Sequence, residues 1–403
     1  MTVQHAAEFL VLFVATFPFI YYLLAIYSSI RLFANRPKPN PDFTPPLSIL
    51  KPGRGLDEGA FENFASFCRQ DYPEYELLFC LGSNDDPNVP VIEKLQREFP
   101  ARSIRILIGS SQKATNDKVS KLSRLASEAR YPWLVFSDSD IRVEPEYLRT
   151  VMGPFRDERV GAVTCLYLQT GEKSFANNLQ TIGQVSDFYA SLSVARLLDG
   201  VKFALGSTIA ISKKVLDECG LFAAIENKPA DDMLVGRMVS EKGYQVELLP
   251  YAVRAVADFE SFRGFLAKRM RWAVVQKNMR PWGHLGLLLT LGLPWSLAAV
   301  AVHPTAAIAA AYLGSYVFLR FLMTWIIAAW GLKQPSIAKK FWLIPVWDAL
   351  ATVILLASFA RNRVRWRDGI YTIRNGTLVP VASAAAQDFK VPAEKKGGPL
   401  SLL

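Results

Sequence analysis

Asp138 and Asp140 stand one residue apart where an apolar run, Trp-Leu-Val-Phe, gives way to Ser-Asp-Ser-Asp within residues 133–144. Such a run reads as a buried strand whose C-terminal end opens into a cleft. In an open α/β sheet, ligands bind just beyond those strand ends. Two hard oxygen donors at this spacing can turn toward one divalent cation, and Mg2+ or Mn2+ held by carboxylates commonly also holds a diphosphate. Taken alone, such a pair is more often a solvated turn, and the other acids of the chain argue against that reading. Asp86 follows a second apolar run, residues 75–81, in Asp85-Asp86-Pro87. Asp231 and Asp232 open a helical pattern that runs to Lys242. The helix dipole by itself accounts for carboxylates in a first turn. Asn116 and Lys118 precede another helix, where they either begin it or reach a diphosphate. Cys68, Cys80, Cys165 and Cys219 are widely separated, and His5, His284 and His303 fall in or beside apolar segments. A zinc site or a histidine base is therefore disfavoured, which leaves acid–base work to carboxylates or lysines.

The elements that must position these groups alternate. Strands at 47–50, 75–81, 104–108 and from 133 are separated by helices at 58–69, 89–98 and 118–130, which predicts a mostly parallel central sheet with Asp86 and Asp138 at one edge. The second half is less regular: strands at 160–168, 203–212 (with Gly206 and Ser207) and 245–249, and a helix at 174–194. The dinucleotide glycine pattern is absent, so neither a nicotinamide nor a flavin is expected.

The chain has 403 residues, 51% hydrophobic and 20% charged, with a net charge of +10. Residues 9–30 carry no charge and are long enough to cross a bilayer; Arg31, Arg36 and Lys38 follow, which predicts a cytoplasmic location for the next domain. The positive charge fits contact with anionic headgroups. A nucleic-acid partner is not expected, because Lys268, Arg269, Arg271, Lys277, Arg280, Arg361, Arg363, Arg365 and Arg367 gather beside apolar segments. Residues from 261 read as an amphipathic interfacial helix. Three apolar stretches follow, 282–301, 305–330 and 341–359. Three full crossings would place the basic residues 361–374 opposite the catalytic side, so 341–359, with its Asp348, is expected to be re-entrant or interfacial. The expected organisation is an anchor (1–35), a cytoplasmic domain (36–260), an interfacial helix (261–281), transmembrane or re-entrant helices (282–360), a basic juxtamembrane segment (361–380) and a disordered tail (381–403).

Four stations thus occur in order: Asp86, Asp138-Ser139-Asp140, Asp231-Asp232 and Lys268-Arg269-Met270-Arg271-Trp272. The pattern resembles membrane-bound family-2-like glycosyltransferases, most closely the ceramide glucosyltransferase family. The closeness rests on Leu50-Lys51-Pro52 with Gly55 and Asp57, Asp71-Tyr72-Pro73 with Tyr75-Glu76, Asp85-Asp86-Pro87, Asp138-Ser139 with Ile141-Arg142-Val143, and Trp366-Arg367-Asp368-Gly369-Ile370-Tyr371 with Arg374.

The resemblance implies a GT-A-type nucleotide-sugar domain, a UDP-sugar donor of glucose or N-acetylglucosamine, and a membrane-lipid acceptor such as ceramide or a hopanoid polyol. The hopanoid branch would place the chain in a bacterial inner membrane. Asp86 would contact uracil and ribose, Asp138 with Asp140 would hold the diphosphate through Mg2+ or Mn2+, and Asp232 would be the base. Lys118, Lys268, Arg271 and Trp272 would line the diphosphate and acceptor side. Two departures stand out: Lys268 occupies a position that is Gln or Arg in the family, and Asp140 one that is Gly in animal members. Displacing UDP with a carboxylate base on the opposite face predicts inversion, and desolvation is expected to raise the pKa of Asp232. The competing readings are a processive polysaccharide synthase, for which the apolar segments are too few, a polyprenyl-phosphate glycosyltransferase, and a catalytically silent nucleotide-binding scaffold.

Overall fold

The computed structural model describes residues 3–36, 40, 42–109, 115–169, 174–256, 259, 261–366 and 369–381. Lys38, Arg367, Asp368 and the tail beyond Val381 lie outside them.

Eight strands build the main sheet: β1 (Leu47–Pro52), β2 (Tyr75–Leu81), β3 (Ser103–Ile108), β4 (Trp133–Phe136), β5 (Ile141–Arg142), β6 (Val160–Gln169), β7 (Ile209–Ser212) and β8 (Gln245–Ala255). Their spatial order is β3-β2-β1-β4-β7-β6-β8-β5. The first four are parallel neighbours, as the alternation predicts. β7 then pairs antiparallel with both β4 and β6, and β6 with β8 is parallel again. Ile49, Leu77, Phe79 and Val135 enter one core, while Leu50, Leu78, Leu134 and Phe136 enter another on the opposite face. With both faces covered, a near-continuous apolar run becomes a parallel strand. The one buried acid of β2, Glu76, is satisfied by the Ser48 hydroxyl at 2.7 Å and the Arg130 N–H at 2.6 Å.

The strand expected at 203–212 is shorter than its apolar pattern: only Ile209–Ser212 is extended, preceded by a Leu205–Thr208 bridge. The chain turns at Gly206, for a reason the site makes plain. The segment expected as a basic juxtamembrane stretch folds as an antiparallel sheet, β9 (Arg363–Trp366), β10 (Gly369–Arg374) and β11 (Thr377–Pro380). Asn375 and Gly376 have φ of 49° and 69°, the left-handed pair that a two-residue hairpin turn requires. Val364, Ile373 and Leu378 pack against Val274 of the helix Phe262–Met279, the expected interfacial helix.

A third core joins the membrane segments to the sheet domain: Tyr22, Leu32 and Phe33 pack with Leu166 of β6, with Ile182 and Tyr189, with Phe265, and with Met323 and Trp347. Gln4–Ala34, Ala306–Gly331 and Pro335–Phe359 are each long and apolar enough to cross a bilayer, and Pro281–Thr290 with Gly292–Val302 form a pair bent by 51°.

Candidate active site

β4 ends at Phe136, and the sheet continues one residue further, where Ser137 N–H donates to Leu50 O at 3.2 Å. From there Asp138-Ser139-Asp140 cross the strand ends, and the turn is held from both sides. On one side Lys51 Nζ, buried at the end of β1, donates to Asp138 O at 2.9 Å and to Ser137 Oγ at 3.2 Å, with its ammonium 3.6 Å from the Phe67 ring centroid. Burial pulls the Lys51 pKa down to about 7, against the attraction of Asp138, Asp140 and Asp57. On the other side Val256 N–H donates to Asp140 O at 2.7 Å.

Lys118, in the first turn of the helix Asp117–Glu128, pairs with Asp138 Oδ1 at 2.7 Å and reaches Asp231 Oδ2 at 3.6 Å. Burial alone would lower its pKa, but Asp138, Asp231 and Asp232 together hold it above the usual lysine value. Asn116 caps that helix through Val119 N–H, and its amide also donates to Lys228 O at 3.1 Å and Asp231 Oδ1 at 3.4 Å.

Asp232 opens the helix Asp231–Glu241. Its Oδ1 accepts Met233 N–H at 2.8 Å, as a dipole-stabilised first turn would have it. Its Oδ2 accepts Gly206 N–H at 3.0 Å, which a helix start does not explain. Burial, then Asp231, push the Asp232 pKa up to about 6, against Lys118 and the two backbone N–H groups. A Cβ on Gly206 would lie 3.0 Å from Lys118 Nζ, 3.3 Å from Asp232 Oδ2 and 3.4 Å from Asp138 Oδ2. Three charged groups from three elements therefore surround one small space, and glycine keeps it open.

Asp140 faces the interfacial helix. Burial, then Asp138 and Asp57, raise its pKa to about 6, opposed by Lys268 and Lys51. Asp57, from the loop after β1, is hydrogen-bonded to the Ser139 side chain, and burial raises it too. Burial lowers Lys268 although Asp140 attracts it, and neighbouring Arg271 lowers it further. Its ammonium lies 5.3 Å from the Trp272 ring centroid. Asp86 is at the same sheet edge but farther out: Oδ2 accepts Gly55 N–H at 3.2 Å and Oδ1 accepts Asn88 N–H at 3.0 Å, joining the β1 and β2 loops.

The structure thus brings Asp138, Lys118 and Asp232 together, sets Asp140 toward Lys268 of the helix Phe262–Met279, and leaves Asp86 at the rim. Sequence reasoning did not single out Lys51, Asp57 or Gly206 as site residues, although each sat in a quoted phrase or strand. Tyr167 on β6 is buried near these acids: burial and then Asp232 raise its phenol pKa, against Arg269.

The family model described as Glycosyl transferase family 21 matches residues 10–379. Ceramide glucosyltransferase 1 of Caenorhabditis elegans is 24% identical over 394 residues, 90% of this chain and 81% of that protein. Ceramide glucosyltransferase 3 of the same animal is 27% identical over 254 residues, which is 59% of this chain; the match spans about half of that relative, 52% of its length. A mannosyltransferase of Pyrobaculum calidifontis, solved in complex with GDP-Man and Mn2+, shares the fold: TM-score 0.52 over 87% of this chain and 98% of that one, at 18% identity.

Proposed function

Because the chain belongs to glycosyl transferase family 21, we propose that it transfers a hexose, glucose or N-acetylglucosamine, from a UDP-sugar to a hydroxyl of a membrane lipid such as ceramide or a hopanoid polyol. The observation that carries this reading is the space at Gly206, where Asp232 faces Asp138 and Lys118 across a few ångströms. One side offers a base; the other offers what a leaving diphosphate needs.

Asp232, with a pKa near 6, is a stronger base than an ordinary aspartate, and it is ionised at neutral pH. It takes the proton of the acceptor hydroxyl as that oxygen attacks the anomeric carbon, and the configuration inverts as the bond to UDP breaks. Lys118 supplies positive charge to the departing diphosphate oxygens. Lys268 and Arg271 add charge from the membrane side, and Trp272 shapes the acceptor end. Asp86 receives uracil and ribose at the rim.

Asp138 and Asp140 fit Mg2+ or Mn2+: both are hard carboxylate donors, and the Asp140 pKa, raised first by burial and then by the negative charge of Asp138 and Asp57, marks a place where a cation would be welcome. Among the described residues no three His, Cys, Asp or Glu side chains form a complete metal cage. A cation held by Asp138 and Asp140 would neutralise charge on the leaving diphosphate.

Contacts between the long helices support a multi-pass arrangement with three crossings. Gly331 lies against Phe33, and Arg36 Nη2 donates to Gly331 O at 2.6 Å, so that end of Ala306–Gly331 is on the sheet-domain side. Tyr312 OH donates to Leu12 O at 2.8 Å, so the other end is on the far side. A broken span for the bent pair is supported by Gly292 meeting Tyr22 OH and by Ser296 Oγ donating to Tyr312 O. Contacts support both ends of Pro335–Phe359 lying on the sheet-domain side: it begins just after Gly331, whose carbonyl Arg36 holds, and Lys277 Nζ of Phe262–Met279 donates to Ser358 O at 2.9 Å and Arg361 O at 2.6 Å. This agrees with an interfacial Phe341–Phe359 and keeps Arg361, Arg363 and Arg365 beside the catalytic domain, which the positive-inside preference then puts in the cytoplasm, as in a bacterial inner membrane.

The test is purified full-length protein in nanodiscs, given a panel of UDP-sugars with ceramide, hopanoid polyol and total lipid extract, and the product read by mass spectrometry. A single glycolipid, abolished by EDTA, is the expected result. Polymer, or product only with added polyprenyl phosphate, would favour the other transferases, and absence of any turnover would leave a nucleotide-binding scaffold.

A further inference from the structure

Arg320, in the middle of Ala306–Gly331, spends its whole guanidinium on groups from two other elements. Nη1 donates to Ser186 O at 2.6 Å, Nη2 to the carboxylates of Asp187 and Asp348, the latter at 2.6 Å, and Nε to Asp348 Oδ2 at 3.1 Å. Tyr316 OH donates to Asp348 Oδ2 at 2.9 Å, and the Tyr22 ring centroid is 5.4 Å from the guanidinium carbon. Asp187 also accepts the indole N–H of Trp347.

Two lines lead from this joint to the candidate site. Arg269, next to Lys268 on the interfacial helix, has its guanidinium carbon 4.4 Å from the Trp347 ring centroid. Gln184, in the same turn as Asp187, donates through Nε2 to Tyr167 O at 2.7 Å and accepts Gln169 N–H at 3.1 Å, which fixes the end of β6. Gly183 makes room for the indole, since a Cβ there would come within 2.4 Å of it.

Residues Gln184–Phe188 form a π-helical turn, a feature that concentrates at functional sites because it costs regular helix bonding. A buried ion pair gives little net stability over apolar packing of the same volume. Together they are better explained by registry than by stability.

We propose that Arg320, Asp348, Asp187 and Trp347 are positioning residues for glycosyl transfer, holding the interfacial helix and the end of β6 at a set height against the spans so that a lipid hydroxyl entering from the bilayer meets Asp232. The inference rests on the transferase reading above. It places these residues outside the donor site, so donor binding and transfer should separate when the joint is loosened.

The experiment compares full-length Trp347→Phe, which keeps an aromatic side chain but removes the indole N–H together with the five-membered part of the ring system, with the charge-neutral pair Arg320→Met and Asp348→Asn. For each, UDP affinity, hydrolysis of the UDP-sugar without acceptor, and transfer to lipid in nanodiscs are measured. UDP affinity and hydrolysis should stay within about twofold while kcat for transfer falls on the order of 10- to 100-fold, the cost of a misplacement near 1 Å. Unchanged transfer in Trp347→Phe overturns the proposal, whether or not the double variant folds, and so does a parallel loss of UDP affinity and transfer. Wild-type protein that hydrolyses or binds the donor yet transfers to no lipid would instead refute the transferase reading.

Discussion

At the scale of single residues, the chemistry turns on where charge is left unbalanced. Asp232 keeps a raised pKa because burial outweighs the help of Lys118 and two N–H groups. In the proposed role it acts as the carboxylate, so transfer should rise with pH through about 6 and level off above it, and Asp232→Asn should lose that limb. The same variant should lower kcat about 10²- to 10⁴-fold while UDP binding, followed by calorimetry, is retained. Gly206 carries the second prediction. A leucine side chain there would have to occupy the space between Lys118, Asp138 and Asp232. Gly206→Leu should therefore reduce kcat/KM on the order of 100-fold by misplacing the reacting groups, with no comparable change in melting temperature. Asp138 and Asp140 were legible from the sequence because paired acids after an apolar run are a local signature. Gly206 was not, since nothing in Leu-Gly-Ser announces which side chains will close around it.

At the scale of elements, the C-terminal sheet is the clearest departure from expectation. Its arginines drew attention to charge, whereas Asn375-Gly376 between alternating residues was the hairpin signal that went unread. The sheet matters to the site by contact: Leu378 N–H donates to Asn227 O at 2.9 Å and Lys228 Nζ donates to Thr377 Oγ1 at 2.8 Å, just before Asp231 and Asp232. Leu378 is buried against the interfacial helix. Leu378→Ala should destabilise this sheet by about 2–3 kcal/mol, seen as faster hydrogen exchange in Gly369–Arg374 and Thr377–Pro380, with protection also falling in Asp231–Glu241. Unchanged exchange in that helix would mean the sheet does not brace it.

At the scale of the whole molecule, one shared core ties the spans to the sheet domain, so membrane topology can be tested from side to side. The four native cysteines are buried, which leaves a low background for labelling. A cysteine placed at Pro304 should react with an impermeant maleimide only from the side opposite the catalytic domain, and one at Lys333 or Arg361 only from the catalytic side. Labelling of Pro304→Cys from the catalytic side would make the bent pair re-entrant. Sequence alone determined the strand–helix alternation, the acids at strand ends, the apolar segments and the family, because periodicity, hydropathy and short motifs are written in neighbouring residues. Tertiary structure alone decided that Lys118, Asp138, Gly206 and Asp232 meet while Lys51 holds the Asp138 backbone, that Asp348 is answered by Arg320, and that the chain's last strands touch Asn227 and Lys228 just before Asp231 and Asp232. These contacts join residues tens to hundreds of positions apart, and their distances follow from how buried faces pack, which no local pattern encodes.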